Sequence, residues 1–133
     1  MKRRWLQDWP WETVVMINAG LCKEKNALHK PTSDGYQPTQ NLRETSRTRE
    51  LTLRETLDLF RQCHKLAPFC FYNGNTFVAI GRTIIQDLLR KMPPVKAHSF
   101  RSVVGHYIAG TAGAEDLAKV LEELECITRR MRR

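Results

Sequence analysis

The sequence lacks any long run of apolar residues. No stretch approaches the roughly 18 to 20 apolar residues that a membrane-spanning helix requires, so we expect no membrane segment. The basic start "MKRR" is not followed by the apolar region of a secretory signal, because Asp8, Pro10 and Glu12 interrupt it. We therefore expect a cytoplasmic protein whose cysteines are reduced.

Cysteine and histidine are present, but without the spacing of a metal site. The cysteines are Cys22, Cys63, Cys70 and Cys126, and neither a C-x2-C nor an H-x3-H pair occurs. Neighbouring Cys63 and His64 would point about 100° apart on a helix, which is unsuitable for a shared ion. We expect buried thiols, no metal and no cofactor.

Motifs for phosphate loops and enzyme active sites are also missing. The glycines Gly105, Gly110 and Gly113 superficially resemble a phosphate loop, but the Lys-Ser/Thr pair of such a loop does not follow them. Glu115 and Asp116 would repel a phosphate at that place. The acid–base side chains elsewhere form no recognisable nucleophile, dyad or triad pattern, so we expect no enzymatic activity.

Acidic residues are too few to balance the basic ones. The chain has 133 residues, and its 22 Lys and Arg against 14 Asp and Glu give a net charge of +8. Residues 51–110 hold eight basic and three acidic residues, a net +5, whereas residues 111–133 are neutral but end in "RRMRR". An excess of this kind indicates an anionic partner, above all the phosphates of a nucleic acid.

The stretch "FCFYNGNTFVAIGR" at residues 69–82 fits two opposite structures. Asn73-Gly74 between apolar runs is typical of a β-hairpin, whereas Asn75 is a good helix N-cap. Strand alternation fails because "FVAI" is continuous, so the pattern favours a helix with Asn75 as its N-cap, after a tight turn and before Pro93-Pro94. The apolar residues that step by 3, 4, 4 and 4 are Phe77, Ile80, Ile84, Leu88 and Met92.

Three further helices follow from the same kind of pattern. A capping box at residues 52–55 opens one that ends near Pro68. Ser99 is the predicted cap of the next, which ends at Gly110, and a heptad seam begins near Gly113. The fold class we predict is all-α: a small bundle of four to five helices with a long polar N-terminal arm.

The first 50 residues divide into two parts. Residues 1–21 contain all the tryptophans, Trp5, Trp9 and Trp11, and a helix or short strand that stops at Gly20. This segment either closes the core of the bundle or docks on another subunit, as tryptophan anchors often do, and we predict docking. Residues 22–50 are polar and rich in turn residues, so we interpret them as an exposed arm or linker, and residues 51–133 as a basic helical bundle.

Gly81 and Gly105 lie inside predicted helices, where glycine is unfavourable. Such glycines indicate that another backbone or a ligand comes close, and contact between two helices is the explanation we favour. We therefore expect large substitutions at either position to unfold or disassemble the protein.

These observations predict a non-enzymatic subunit that contacts nucleic acid, RNA or DNA, as an accessory component of a nucleoprotein. A helix-turn-helix is disfavoured because the "MPPVKAH" connection is too long. The alternative is a protein–protein adaptor or a subunit of an oligomer with no direct nucleic-acid contact. The predicted phosphate-binding residues are Arg82, Arg90, Lys91, Lys96, Arg101, Arg129, Arg130, Arg132 and Arg133.

Overall fold

The computed structural model describes residues 2–131, which form six helices and one pair of very short strands. The all-α class predicted from the sequence is confirmed, with more helices than the four to five expected. None of the helices in this range is long and apolar enough to cross a membrane. The elements are β1 (Lys2–Arg3), α1 (Trp11–Glu24), α2 (Tyr36–Ser46), β2 (Leu51–Thr52), α3 (Leu53–Leu66), α4 (Asn73–Leu89), α5 (Pro94–Ile108) and α6 (Ala114–Met131).

Helix α4 lies at the centre of the bundle, where it packs against α1, α3, α5 and α6. Its buried face includes Phe77, Ile80 and Leu88, which belong to the stripe read from the sequence. Gly81 lies on the same face, and a Cβ atom there would lie only 2.5 Å from Cδ1 of Ile108 in α5. The expectation that this glycine marks a close contact between helices is therefore confirmed.

Helix α3 begins with the predicted capping box. The Thr52 hydroxyl accepts a bond from the Glu55 N–H at 3.0 Å, and the Glu55 carboxylate accepts one from the Thr52 N–H at 2.9 Å. The helix ends at Ala67, whose φ of 49° is left-handed. Both ends lie where the sequence placed them, because short-range side-chain and backbone bonds determine them.

The start of α4 differs from the prediction. The helix begins at Asn73, and its N-cap residue is Tyr72, with a left-handed φ of 60°. Asn75 is therefore not the cap. The Asn73 side chain instead bonds the backbone of Phe69 twice: its Nδ2 donates to the carbonyl at 2.7 Å, and its Oδ1 accepts from the N–H at 2.9 Å. The helical interpretation of residues 69–82 itself is confirmed.

Helix α5 also begins earlier than expected, at Pro94 and not at Ser99. A proline in the first helical position needs no N–H partner and has a φ already suited to the helix, so the Pro93-Pro94 pair starts α5 after α4 has ended at Leu89. The end of α5 agrees with the sequence, since Gly110 takes a φ of +83° just beyond it.

Residues 22–50 are not an exposed arm throughout. They contain the end of α1 and all of α2, which packs on α3. Polar side chains of α2 are buried. Thr39 Oγ1 donates to the Gly35 carbonyl at 2.7 Å, and Arg43 Nη2 donates to the Trp9 carbonyl at 3.0 Å, whereas Nε and Nη1 of Arg43 have no hydrogen-bond partner among the described residues. Gly35 is also essential here, because a Cβ atom would lie 1.9 Å from the Leu66 carbonyl oxygen.

The tryptophan segment closes the core of the molecule. Trp11 is 3% exposed, its ring stacks on Phe69, and its Nε1 donates to the Tyr36 hydroxyl at 3.1 Å. Trp5 and Trp9 are partly buried against the same core. Of the two interpretations of this segment, core closure is the one that matches the structure for Trp11, whose ring is not exposed for docking. Helix α1 also runs through Gly20, where we expected it to stop.

Asn18 ties α1 to the start of α4. This side chain is fully buried, and its Nδ2 donates to the Phe71 carbonyl at 2.8 Å and to Thr76 Oγ1 at 3.1 Å. Its Oδ1 lies 2.8 Å from Nδ1 of His29 and accepts a longer bond from the Cys22 thiol. A buried polar network centred on Asn18 of α1 therefore stabilises the turn that precedes α4.

Candidate nucleic-acid interface

A cleft of about 720 Å³ opens between the N-terminal half of α4 and the middle of α5. We call it the α4–α5 cleft. None of the residues that line it is acidic, and four carry nitrogen-rich side chains: His64 from α3, Arg82 from α4, and Arg101 and His106 from α5. The N-terminal end of α4, which carries partial positive charge, faces the same space. The cleft therefore favours a negatively charged ligand.

Arg82 and Arg101 are brought together by the packing of α4 on α5. Arg82 is half-buried, and its Nε donates to the Arg101 carbonyl at 3.4 Å. Gly105 leaves room for this arrangement, since a Cβ atom there would lie 2.6 Å from Nη2 of Arg82. The second glycine singled out in the sequence thus accommodates a charged side chain, where we had expected a neighbouring helix.

The two arginines form an uncompensated positive pair. Within residues 2–131, neither forms an ion pair with a carboxylate. Burial lowers the pKa of the Arg82 guanidinium below its ordinary value, and the nearby charge of Arg101 lowers it further. Both effects disfavour a charged side chain at this place, and the negative charge of a bound anion would offset them.

Sequence reasoning missed the histidines and the tyrosine of the cleft. His64 lies over the first turn of α4, where a Cβ atom on Gly74 would be 3.4 Å from its Nε2. His106 Nδ1 lies 2.9 Å from Thr111 Oγ1, and Tyr72 forms part of the wall. Helical spacing could show which residues share a face of one helix, but not that the end of α3 meets the start of α4.

The other predicted cations continue the basic surface along one edge of the molecule. Arg101 also lines a neighbouring groove of about 320 Å³ together with Arg90. Met92 joins that groove to a third depression of about 590 Å³, which contains one predicted cation from the segment after α4, one from α5 and one from α6, together with Lys119 of α6. These cations are Lys91, Lys96, Lys119 and Arg130.

Carboxylates neutralise part of this edge. Arg90 Nη1 lies 3.0 Å from Oδ1 of Asp87, and Lys96 is paired with Glu123. The third depression is also lined by Glu122. The α4–α5 cleft, in contrast, is lined by no carboxylate. Of the predicted terminal arginines, Arg129 and Arg130 are exposed on α6, whereas Arg132 and Arg133 lie outside the described residues.

The thiols do not contribute to the cleft. Burial raises the pKa of Cys63 to about 12, so this residue is a neutral thiol of the core. Cys22 is also buried, and Cys70 and Cys126 are exposed. Among residues 2–131, no three side chains of His, Cys, Asp or Glu come together in a way that would hold a metal ion.

Comparison with protein-family models, curated proteins and solved structures found no significant match to this chain.

Proposed function

We propose that this protein is a non-enzymatic nucleic-acid-binding subunit that contacts phosphates through its basic helical surface, as an accessory component of a nucleoprotein. The observation that carries the proposal is the pair of Arg82 and Arg101 side chains at a cleft lined by no acidic residue. Arg82 is half-buried and Arg101 is exposed, and neither has a carboxylate partner within residues 2–131, so a phosphate could pair with both. The net charge of +8 supplies a long-range attraction of the same sign.

The mechanism is neutralisation of phosphates with release of their counterions. Arg82 and Arg101 are the central contacts, and Lys91 and Arg130 extend the surface along the edge of α4 and α6. Contacts of this type fix the position of a backbone and carry no sequence information, so RNA and DNA of mixed sequence are both expected ligands. Affinity should fall steeply as salt is raised.

Charge-removing variants of the cleft test this proposal. We expect the double variant Arg82→Gln/Arg101→Gln to bind a fluorescent mixed-sequence oligonucleotide about tenfold more weakly at moderate salt, because two phosphate contacts are lost. The slope of log affinity against log salt should become shallower by roughly one to two units. Fluorescence anisotropy over a range of salt concentrations measures both quantities.

A matched control removes the same charge elsewhere. Arg49 and Arg54 are exposed and lie near the start of α3, away from the cleft, so Arg49→Gln/Arg54→Gln should bind almost like the wild type. If the cleft and control variants weakened oligonucleotide binding equally, the binding would depend only on the net charge of the protein and not on the cleft. No affinity at any salt concentration would instead favour the protein–protein adaptor.

A further inference from the structure

Two aromatic residues, Phe71 and Tyr72, lie in the short turn that leads into α4. Phe71 is 49% exposed, although most large apolar side chains of the described residues are buried. Tyr72 lines the cleft itself, and the two ring centroids lie 6.5 Å apart with the planes tilted by 45°. Tyr72 therefore places one ring at the cleft that holds the unpaired arginines, and the exposed ring of Phe71 lies next to it.

The backbone beneath these rings is held firmly. Asn18 Nδ2 donates to the Phe71 carbonyl at 2.8 Å, and Thr76 Oγ1 donates to the Tyr72 carbonyl at 2.7 Å. Asn73 bonds both the N–H and the carbonyl of Phe69, just before the two rings. The rings are thus presented on a rigid support, which lowers the entropy that a ligand must remove when it packs on them.

Tyr72 is also held in an unfavourable conformation. Its φ of 60° and ψ of 33° are left-handed, which costs a residue with a bulky side chain about 1 to 3 kcal/mol. Glycine or asparagine would accept this position more easily. Tyr72 is only half-buried, so packing of the core does not require a tyrosine in this strained conformation at the wall of the cleft.

We infer that the cleft binds single-stranded nucleic acid, with a base stacked on the Phe71–Tyr72 pair and a phosphate between Arg82 and Arg101. This inference rests on the proposed function and names its substrate class. Single-strand-binding surfaces combine a positive groove with aromatic side chains on which bases stack. In a duplex the bases are already stacked on one another and cannot reach the rings.

The spacing along α4 indicates a strand as the ligand and not a single nucleotide. Tyr72 and Arg82 are separated by ten positions of one helix, which corresponds to about 15 Å along the helix axis. Because the backbones of the two residues lie this far apart along the axis, we expect the aromatic and arginine ends of the cleft to serve neighbouring nucleotides of one chain. The basic groove beyond Arg101 would accept the strand as it continues.

Three probes of equal length test the inference: a mixed-sequence single strand, its duplex, and a single strand of abasic residues with the same phosphates. We expect the wild-type protein to prefer the normal single strand over both others by about tenfold at the same salt concentration. The variant Phe71→Leu/Tyr72→Leu keeps apolar bulk but removes both rings. This variant should lose most of the preference for the normal single strand over the abasic strand. The slope of its log affinity against log salt should stay the same as that of the wild type.

Tyr72→Phe is the matched control, since it retains a ring for stacking and should bind like the wild type. Equal affinity of the wild-type protein for the normal and abasic strands, or for single strand and duplex, would overturn the inference. That comparison needs no variant, so it decides the matter even if the leucine variant does not fold. If binding still depends on salt and on Arg82 and Arg101, the proposed function stands alone, whereas absence of any binding would overturn both.

Discussion

At the scale of single residues, Ala67 and Tyr72 are two of the three non-glycine residues with a left-handed φ, and they differ in their surroundings. Tyr72 lines the cleft, whereas Ala67 ends α3 without lining it, and the Ala67 carbonyl accepts a 2.6 Å bond from Thr32 Oγ1. Alanine at such a position costs about 1 to 2 kcal/mol. Nothing in the surroundings of Ala67 requires its methyl group, so the strain there brings no evident benefit.

We therefore expect Ala67→Gly to raise the free energy of unfolding by about 0.5 to 1 kcal/mol, because relief of strain exceeds the entropy lost by glycine. Chemical denaturation with urea measures the change. Ala109→Gly is the matched control: Ala109 ends α5 with a right-handed φ of −72°, so glycine should not stabilise the protein there. A similar gain at both positions would contradict the explanation by strain.

Residues whose partners are close in sequence were predicted well. The capping box of Thr52 and Glu55 and the left-handed Gly110 depend on bonds within a few residues. Tyr72 could not be predicted as an N-cap, because its conformation depends on the bonds of Asn73 to Phe69 and of Asn18 to Phe71. The second bond joins distant parts of the chain.

At the scale of elements, the start of α3 links stability to pH. The bond from the Thr52 N–H, together with the Thr52 side chain, holds the pKa of Glu55 below its ordinary value near 4.5. A carboxyl with a lowered folded-state pKa stabilises the protein above the unfolded pKa, and this stabilisation is lost as the pH falls through the folded pKa. The capping box should therefore weaken in acid, below about pH 4.5.

We expect Glu55→Gln, which can still accept the bond but cannot titrate, to show a shallower loss of thermal stability between pH 6 and pH 3 than the wild type, roughly the window that the lowered pKa implies. Thermal unfolding followed by circular dichroism at several pH values measures it. Glu50→Gln, at an exposed position before the helix, is the control and should follow the wild-type curve. If the thermal stability of the wild type and of Glu55→Gln fell in parallel with pH, Glu55 would not contribute to the pH dependence of stability.

Helices with an apolar stripe were predicted from periodicity, and helices without one were not. Helices α3, α4 and α6 each bury a regular apolar row, so their existence followed from spacing. Helix α2 buries Thr39, Arg43 and Ser46, and a polar buried face has no signature that distinguishes it from an exposed segment. Its burial depends on partners in other elements, such as the Trp9 carbonyl.

At the scale of the whole molecule, the candidate site is a product of helix packing. Counting charges located Arg82 and Arg101, because the excess of basic residues is greatest in residues 51–110. The pairing of Arg90 with Asp87 could have been predicted from helical spacing, because the two residues are three positions apart. The pairing of Lys96 with Glu123 could not, because it depends on the contact between α5 and α6. The sequence could therefore indicate a basic surface without showing where its charge remains unbalanced.

Gly105 allows a test of that packing. We expect Gly105→Ala to push the Arg82 guanidinium away and to weaken nucleic-acid binding several-fold, while stability changes by no more than about 1 kcal/mol. The fold should tolerate the new methyl group because the atom it meets is the far end of a flexible side chain, 2.6 Å away. Anisotropy and urea denaturation on the same variant separate the two effects.

Gly20→Ala is the matched glycine control, since a Cβ atom on Gly20 meets nothing within 4 Å. It should stabilise α1 by about 1 kcal/mol and leave binding unchanged. Unchanged binding in Gly105→Ala as well would show that the position of Arg82 is not needed for the ligand.

The buried Asn18 network has a consequence for how the molecule opens. Because one side chain bonds both the Phe71 carbonyl and Thr76, α1 cannot detach without releasing the turn that carries the aromatic pair. The first helix and the rim of the cleft should therefore exchange their amide protons as one cooperative unit. A ligand seated on that rim would therefore slow exchange along α1 as well, beyond Leu21, the residue of α1 that lines the cleft.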